Sequence, residues 1–257
     1  MNFIDTHTHL YLSDFDVDRK EVMERARKNH VSKIFLPNID SSTLPLIYKM
    51  ADDYPESCFP MAGLHPTSVK NNYKKELQIV EQQLKNREVA GIGEIGIDLY
   101  RDQTYRDEQI KAFRHQVHLA SNHMLPVIIH SRNSFDEIFS VLDEFPSHSL
   151  HGIFHSFTGT YEQARRAIDL GFLLGINGIV TFKNSGLDIV VKKLGPQYLV
   201  LETDAPYLAP VPKRGKRNES SFLLYIADKL SEIFSVKTEE VAKITTKNAM
   251  NVFHLKQ

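Results

Sequence analysis

Eight short apolar runs alternate with helical stretches along the chain, and this alternation limits the possible folds more than any other feature. The runs cover residues 2–5, 33–39, 58–64, 89–97, 126–131, 152–157, 172–179 and 198–204. They are short, several are β-branched, and most are bounded by Gly, Pro or polar residues, as buried parallel strands are. Helical periodicity fills the gaps, for example at 18–30, 73–86 and 104–123. Two further helices are expected to start at capping boxes, Ser134 with Glu137 and Thr160 with Gln163. Two helical segments, about 221–235 and 238–250, close the chain. Each run lies about one βαβ unit from the next, on the order of 30 residues. Eight such units predict a closed (β/α)8 TIM barrel, an α/β fold, with any site at the C-terminal ends of the strands. The rival is an open doubly wound sheet. No Gly-rich dinucleotide fingerprint follows an early run, which weakens that rival.

The 257 residues suit a barrel of this kind and are read as a single domain, 1–257, since no linker or low-complexity segment interrupts them. With 42% apolar and 25% charged residues, the chain can build an ordinary core. The net charge of −1 creates no global field for a polyanion, so nucleic-acid binding would need a local basic patch. Cys58 is the only cysteine, which excludes an intrachain disulfide and fits a reducing compartment. No signal peptide is read at the N-terminus, and no apolar run approaches the roughly 18 residues of a membrane span. A cytoplasmic protein with no membrane partner is expected, and a monomer is favoured.

Polar residues at the predicted strand ends carry the chemistry. They are His7 and His9 after the first run, His65 after the third and Glu94 within the fourth. His130 follows in the fifth, His155 in the sixth and Asp204 at the end of the eighth. Taken singly, His65 reads as a structural histidine and Asp204 as a turn cap. Glu94 is harder to dismiss, because a carboxylate in an apolar strand is costly unless paired or coordinated. In His7-x-His9, alternation sends both rings to one face, where they can hold one ion. Together the pattern predicts a metal cradle of His7, His9, Glu94, His130, His155 and Asp204. Six ligands exceed one tetrahedral site, so two divalent ions (Zn, Mg or Mn) are expected. One would take His7, His9 and Asp204, the other His130 and His155, with Glu94 bridging. Such a pair activates water and can clamp the oxygens of a phosphoester. Glu94 and Asp204 are the catalytic candidates, Asp204 as acceptor of the water's proton.

The stretches FIDTHTHL, GLHP, GEIGIDLY, PVIIHSR, FHSFTG, LETDAPYLAPVPKRGKRNE and NAMNVF resemble, in order and over nearly the whole chain, the TatD family of metal-dependent deoxyribonucleases in the amidohydrolase superfamily. The resemblance implies a TIM barrel, a divalent-metal centre on the same six ligands, and hydrolysis of DNA phosphodiesters, often from the 3′ end. The chain departs from the family pattern at Asn133, Ser156, Thr158 and Ser220. None of these removes a ligand. Ser220 stands where the family usually has proline, so a looser loop end is expected.

For substrate contacts, the basic loop Lys213, Arg214, Lys216 and Arg217 directly follows the strand bearing Asp204, and phosphate binding is expected there. His65 and Arg132 are further phosphate candidates. Glu202 is a candidate for orienting a ligand, and Tyr100 and Tyr207 flank the site. The leading reading is a two-metal deoxyribonuclease acting 3′ to 5′ on single-stranded ends. Two rivals are an amidohydrolase-type enzyme for a small amide, lactone or phosphoester, and a barrel that binds without catalysis. The fourth run contains no lysine that could bridge two ions after modification, which favours the first reading.

Overall fold

The computed structural model describes residues 1–100, 102–146 and 148–255. Strands and helices alternate as β1 (Phe3–Asp5), α1 (Arg19–Lys28), β2 (Val31–Leu36), α2 (Leu44–Asp53), β3 (Cys58–Pro60) and α3 (Tyr73–Asn86). They continue as β4 (Ile92–Asp98), α4 (Arg106–His123), β5 (Val127–Arg132), α5 (Phe135–Leu142), β6 (Gly152–Phe154) and α6 (Tyr161–Asp169). The chain ends with β7 (Phe172–Ile176), α7 (Leu187–Leu194), β8 (Leu199–Leu201), α8 (Leu223–Phe234) and α9 (Thr238–Val252). All paired strands are parallel, β1 to β3 in one run and β4 to β8 in another. Backbone bonds join the two runs at both seams. On one side Gly93 N donates to Ala62 O at 2.9 Å and Ala62 N to Gly91 O at 3.1 Å. On the other, Thr6 N donates to Leu201 O at 3.0 Å and Asp204 N to His7 O at 2.9 Å. An open sheet would leave β1 and β8 as edges; here they bond to each other, and the barrel closes.

Alternation within the strands sorts the core. Ile4, Phe35, Met61, Ile128, Ile153 and Val200 form a layer that Ala249, Val252 and Phe253 of the C-terminal segment plug, with Phe35 and Phe253 stacked at 3.6 Å. Deleting such a ring typically costs about 3–5 kcal/mol, so this floor is a main anchor. Their neighbours Ile129, Phe154 and Leu201 belong to the separate, larger cluster shared with the helices. The parity that sends Ile128, Ile153 and Val200 to the floor sends His130, His155 and Glu202 to the same face two residues later. At Gly96, φ is +149°, and a Cβ would collide with the His130 carbonyl, so glycine lets β4 and β5 approach at the level of the site.

The strands end earlier than several apolar runs. After β6 and β8 the backbone turns through positive φ at Ser156 (46°) and Asp204 (56°), which leaves the ladder and tilts site residues inward. The box at Thr160 forms in both halves, Gln163 N to Thr160 Oγ1 at 3.3 Å and Thr160 N to Gln163 Oε1 at 2.8 Å. The box expected at Ser134 does not. The Ser134 hydroxyl donates to Ile97 O across the sheet, and Glu137 pairs with Arg106 at 2.9 Å; tertiary partners outcompete the local cap. Among the described residues, no helix is long and apolar enough to cross a membrane.

Candidate metal centre

Six side chains from five strand ends meet around Glu94. Its two carboxylate oxygens face different neighbours. Oε2 lies 3.1 Å from His7 Nε2 and 3.8 Å from His9 Nε2. Oε1 lies 2.7 Å from His130 Nδ1, 3.3 Å from His65 Nε2 and 3.8 Å from His155 Nε2. Asp204 Oδ1 completes the first side, 3.5 Å from His9 Nε2 and 3.8 Å from the Nε2 atoms of His7 and His155. The sets His7–His9–Glu94, His7–His155–Asp204 and His65–Glu94–His130 are each compact enough to hold one cation. His65, expected only to touch substrate, therefore also stands within a ligand-competent group.

The donors fit a divalent metal. Both ring nitrogens of His7 are buried without a hydrogen-bond partner, a costly state that a cation at Nε2 relieves. Outer partners orient three other rings. Tyr11 Oη donates to Pro37 O at 2.7 Å, so it accepts from His9 Nδ1 at 2.8 Å and leaves His9 Nε2 with a lone pair toward the cluster. Glu202 Oε1, fully buried, lies 2.9 Å from His155 Nδ1 and turns Nε2 inward. Asp98 Oδ2 lies 3.0 Å from His130 Nε2.

Charge is divided unevenly. Burial alone raises the Glu94 carboxyl, but attraction from His65, His7 and His155 outweighs it and holds Glu94 well below the usual range. Burial likewise raises Asp204 and is overcome by His155, the hydrogen bond from His9, and His7. Burial, reinforced by His155, pushes His7 down to about 4. For His155, burial is outweighed by Glu202, Glu94 and Asp204, which bring it to about 10. His130 rises to about 9 because the bonds to Asp98 and Glu94 outweigh burial. A neutral His7 stacked 3.4 Å from a protonated His155 avoids like-charge repulsion. Below these groups, burial raises the Asp5 carboxyl to about 7 in spite of hydrogen bonds from Ser220 and Thr203.

A cavity of about 890 Å³ opens over the cluster, and His65, Arg132 and Tyr207 line it together with Lys70, Thr67 and Tyr105. The basic loop is not part of that wall. Arg217 is fastened to Asp18 Oδ2 at 2.7 Å and to Asp14 O at 2.6 Å, and packs over Phe15. Arg214 lies over Phe182 at 3.9 Å, Lys213 over Phe222 at 5.6 Å, and Lys216 is exposed. The expected phosphate cradle is thus not assembled at the mouth, because local aromatic and acidic partners hold most of its side chains. Nor is the loop end loose at Ser220: its buried hydroxyl donates to Asp5 Oδ2 at 2.6 Å. Asp98 and Tyr11 join the site beyond the expected residues. Asp98 shares the face of Glu94 four residues on within β4, whereas Tyr11 lies in the turn after β1, where strand alternation gives no signal. Lys70 and Tyr105 lie in loops with no such signal.

Comparisons with known proteins identify the family. The signature of the family described as TatD related DNase matches residues 4–254. The chain is 36% identical over 252 residues to an uncharacterized metal-dependent hydrolase, YabD, of Bacillus subtilis, covering 98% of each chain. It is 34% identical over 254 residues to the 3′-5′ ssDNA/RNA exonuclease TatD of a Rahnella species, covering 96% of each. The crystal structure of YjjV, a TatD homologue from Escherichia coli K12, superposes with a TM-score of 0.91 at 29% identity, covering 99% of this chain and 98% of that one. With its barrel, its ligand cluster and its whole-length match, the chain belongs to the TatD-related DNase family of metal-dependent hydrolases.

Proposed function

We propose that the protein is a two-metal deoxyribonuclease that removes nucleotides from 3′ single-stranded ends of DNA. One observation carries the two-metal part: Glu94 turns one oxygen to His7 and His9 and the other to His130, His65 and His155. His7, His9 and Asp204 would hold one ion, His130 and His155 the other, with Glu94 shared. Bound divalent ions would lower the pKa of water and neutralise charge on the phosphodiester. The chain's own groups do the rest. Asp204, kept ionised and slightly exposed at the mouth, takes the proton of the attacking water at a carboxylate oxygen. His65, lining the mouth, holds a non-bridging oxygen of the scissile phosphate, and Arg132 on the same wall contacts the nucleic-acid backbone beside it. Tyr11, Glu202 and Asp98 keep the ligand rings in place. The exonuclease name of the Rahnella relative supports the substrate and the polarity.

The test uses single-stranded DNA labelled at either end, with Mg²⁺, Mn²⁺ or Zn²⁺, an EDTA control and Glu94→Ala alongside. Metal-dependent shortening from the 3′ end that Glu94→Ala lowers at least about 10³-fold is expected. Metal content by mass spectrometry should fall with it. A wild-type protein loaded with metal that cuts no DNA, but hydrolyses a small ester or amide, overturns the reading.

A further inference from the structure

A second cavity, of about 560 Å³, lies beside the mouth, and the two share a wall made by Ser131, Arg132 and Thr158. Arg132 stands on that wall. Its guanidinium lies 3.8 Å from the centre of the Tyr100 ring, and both side chains reach solvent. No carboxylate pairs with Arg132 at salt-bridge distance among the described residues, whereas Arg25, Arg106, Arg114, Arg165, Arg166 and Arg217 each have such a partner. Contact with the tyrosine face restrains the guanidinium, which reduces the side-chain freedom lost when an anion arrives. A guanidinium fork of this kind matches two oxygens of a phosphate. Asn133, Thr158 and Thr160 add neutral polar groups to the lining. Of the two acidic residues there, Glu137 is engaged by Arg106 at 2.9 Å, and Asp136 is exposed to water.

We propose that this cavity receives the phosphodiester adjacent to the scissile one, with Arg132 as its charged contact. The proposal rests on the nuclease reading for the identity of the polymer. It makes the protein a reader of at least two consecutive phosphates, and so a better enzyme on oligonucleotides than on an isolated diester. A binding groove that continues past the chemistry spends remote contacts on orienting the reacting bond.

The experiment uses trithymidylate, unmodified or with a neutral methylphosphonate at one linkage or the other. Cleavage by the Mn²⁺-loaded protein identifies the bond cut. Anisotropy with the same fluorescently labelled probes in EDTA gives binding without turnover. For the wild type, neutralising the uncut linkage should weaken binding and kcat/KM roughly 10-fold or more. Arg132→Ala should lose the same factor on the unmodified probe and nothing further on the methylphosphonate. Arg132→Lys, which keeps the charge without the fork, should recover only part. If Arg132→Ala retains the full methylphosphonate penalty, or the wild type shows none, the subsite is wrong while the nuclease reading stands. Arg132-dependent binding without any cleavage would keep the subsite and remove the nuclease reading. Absence of both binding and cleavage would overturn the two together.

Discussion

Around Glu94, single side chains decide what the site can hold. His7 is buried with two unsatisfied nitrogens and is pushed toward its neutral form, which is the form a cation binds. His130 is the contrasting case, since both of its nitrogens face carboxylates, Glu94 and Asp98. Asp98 therefore sets the ring's position before metal arrives. Asp98→Asn should weaken the affinity for Mn²⁺ by roughly 10–100-fold in a calorimetric titration, with the thermal transition of the metal-loaded protein little changed. Affinity equal to wild type would mean that β5 packing alone orients His130.

At the scale of elements, the loop after β8 is held by polar contacts at its far end. Ser220 and Thr203 each place a hydroxyl 2.6 Å from Asp5 Oδ2, and Glu219 accepts from Arg25 of α1. Ser220→Ala strips one donor from a fully buried carboxylate. It should lower unfolding free energy by about 1–3 kcal/mol in urea denaturation, with the m-value unchanged. Unchanged stability would show that the Ser220 hydroxyl adds nothing to the hold on Asp5. The same contacts explain why the basic run does not gather at the mouth: Arg217 is bonded to Asp18 and Asp14 before any phosphate arrives.

Over the whole molecule, the barrel concentrates charge that the metal-free protein must balance internally. His130 and His155 have folded values raised to about 9 and 10 from 6.5. Their contribution to stability is therefore full below about 6.5 and is lost as pH rises through 9 and 10. His7, lowered to about 4, acts in the other direction. The unfolded chain binds its proton first as pH falls from 6.5 toward 4, and stability falls with it. Asp5, raised to about 7, works against His7 across that interval, so the net effect lies on the alkaline side: the EDTA-treated protein should melt progressively lower as pH rises from about 6.5 toward 10. Mn²⁺ should raise the melting temperature most on the alkaline side, where ions no longer compete with the two protons. Calorimetric scans from pH 4.5 to 10 with and without Mn²⁺ check this, and a metal-free protein most stable at pH 9 would contradict it.

Much of this was legible in the chain. Strand parity is a property of neighbours two residues apart, so FIDTHTHL, IIHSR and LETD reveal which side chains share a face without knowledge of the fold. Eight strand-and-helix units then imply a ring that brings their ends to one mouth. Parity could also have revealed Asp98, which lies on β4 with Glu94, but not Tyr11, which lies in the turn after β1. The fate of loop residues could not be read this way. Whether Arg217 meets a phosphate or Asp18, and whether Lys70 or Lys216 faces the mouth, depends on contacts between segments up to about two hundred residues apart. Such contacts belong to the closed barrel, in which Thr6 N donates to Leu201 O. The sequence by itself determined the architecture and which histidines and carboxylates stand at the strand ends, because both follow from the order and spacing of the strand-and-helix units. Only the tertiary structure decided which positive charges stay free for substrate, because arginine and lysine take whichever acidic or aromatic partner the closed fold brings nearest.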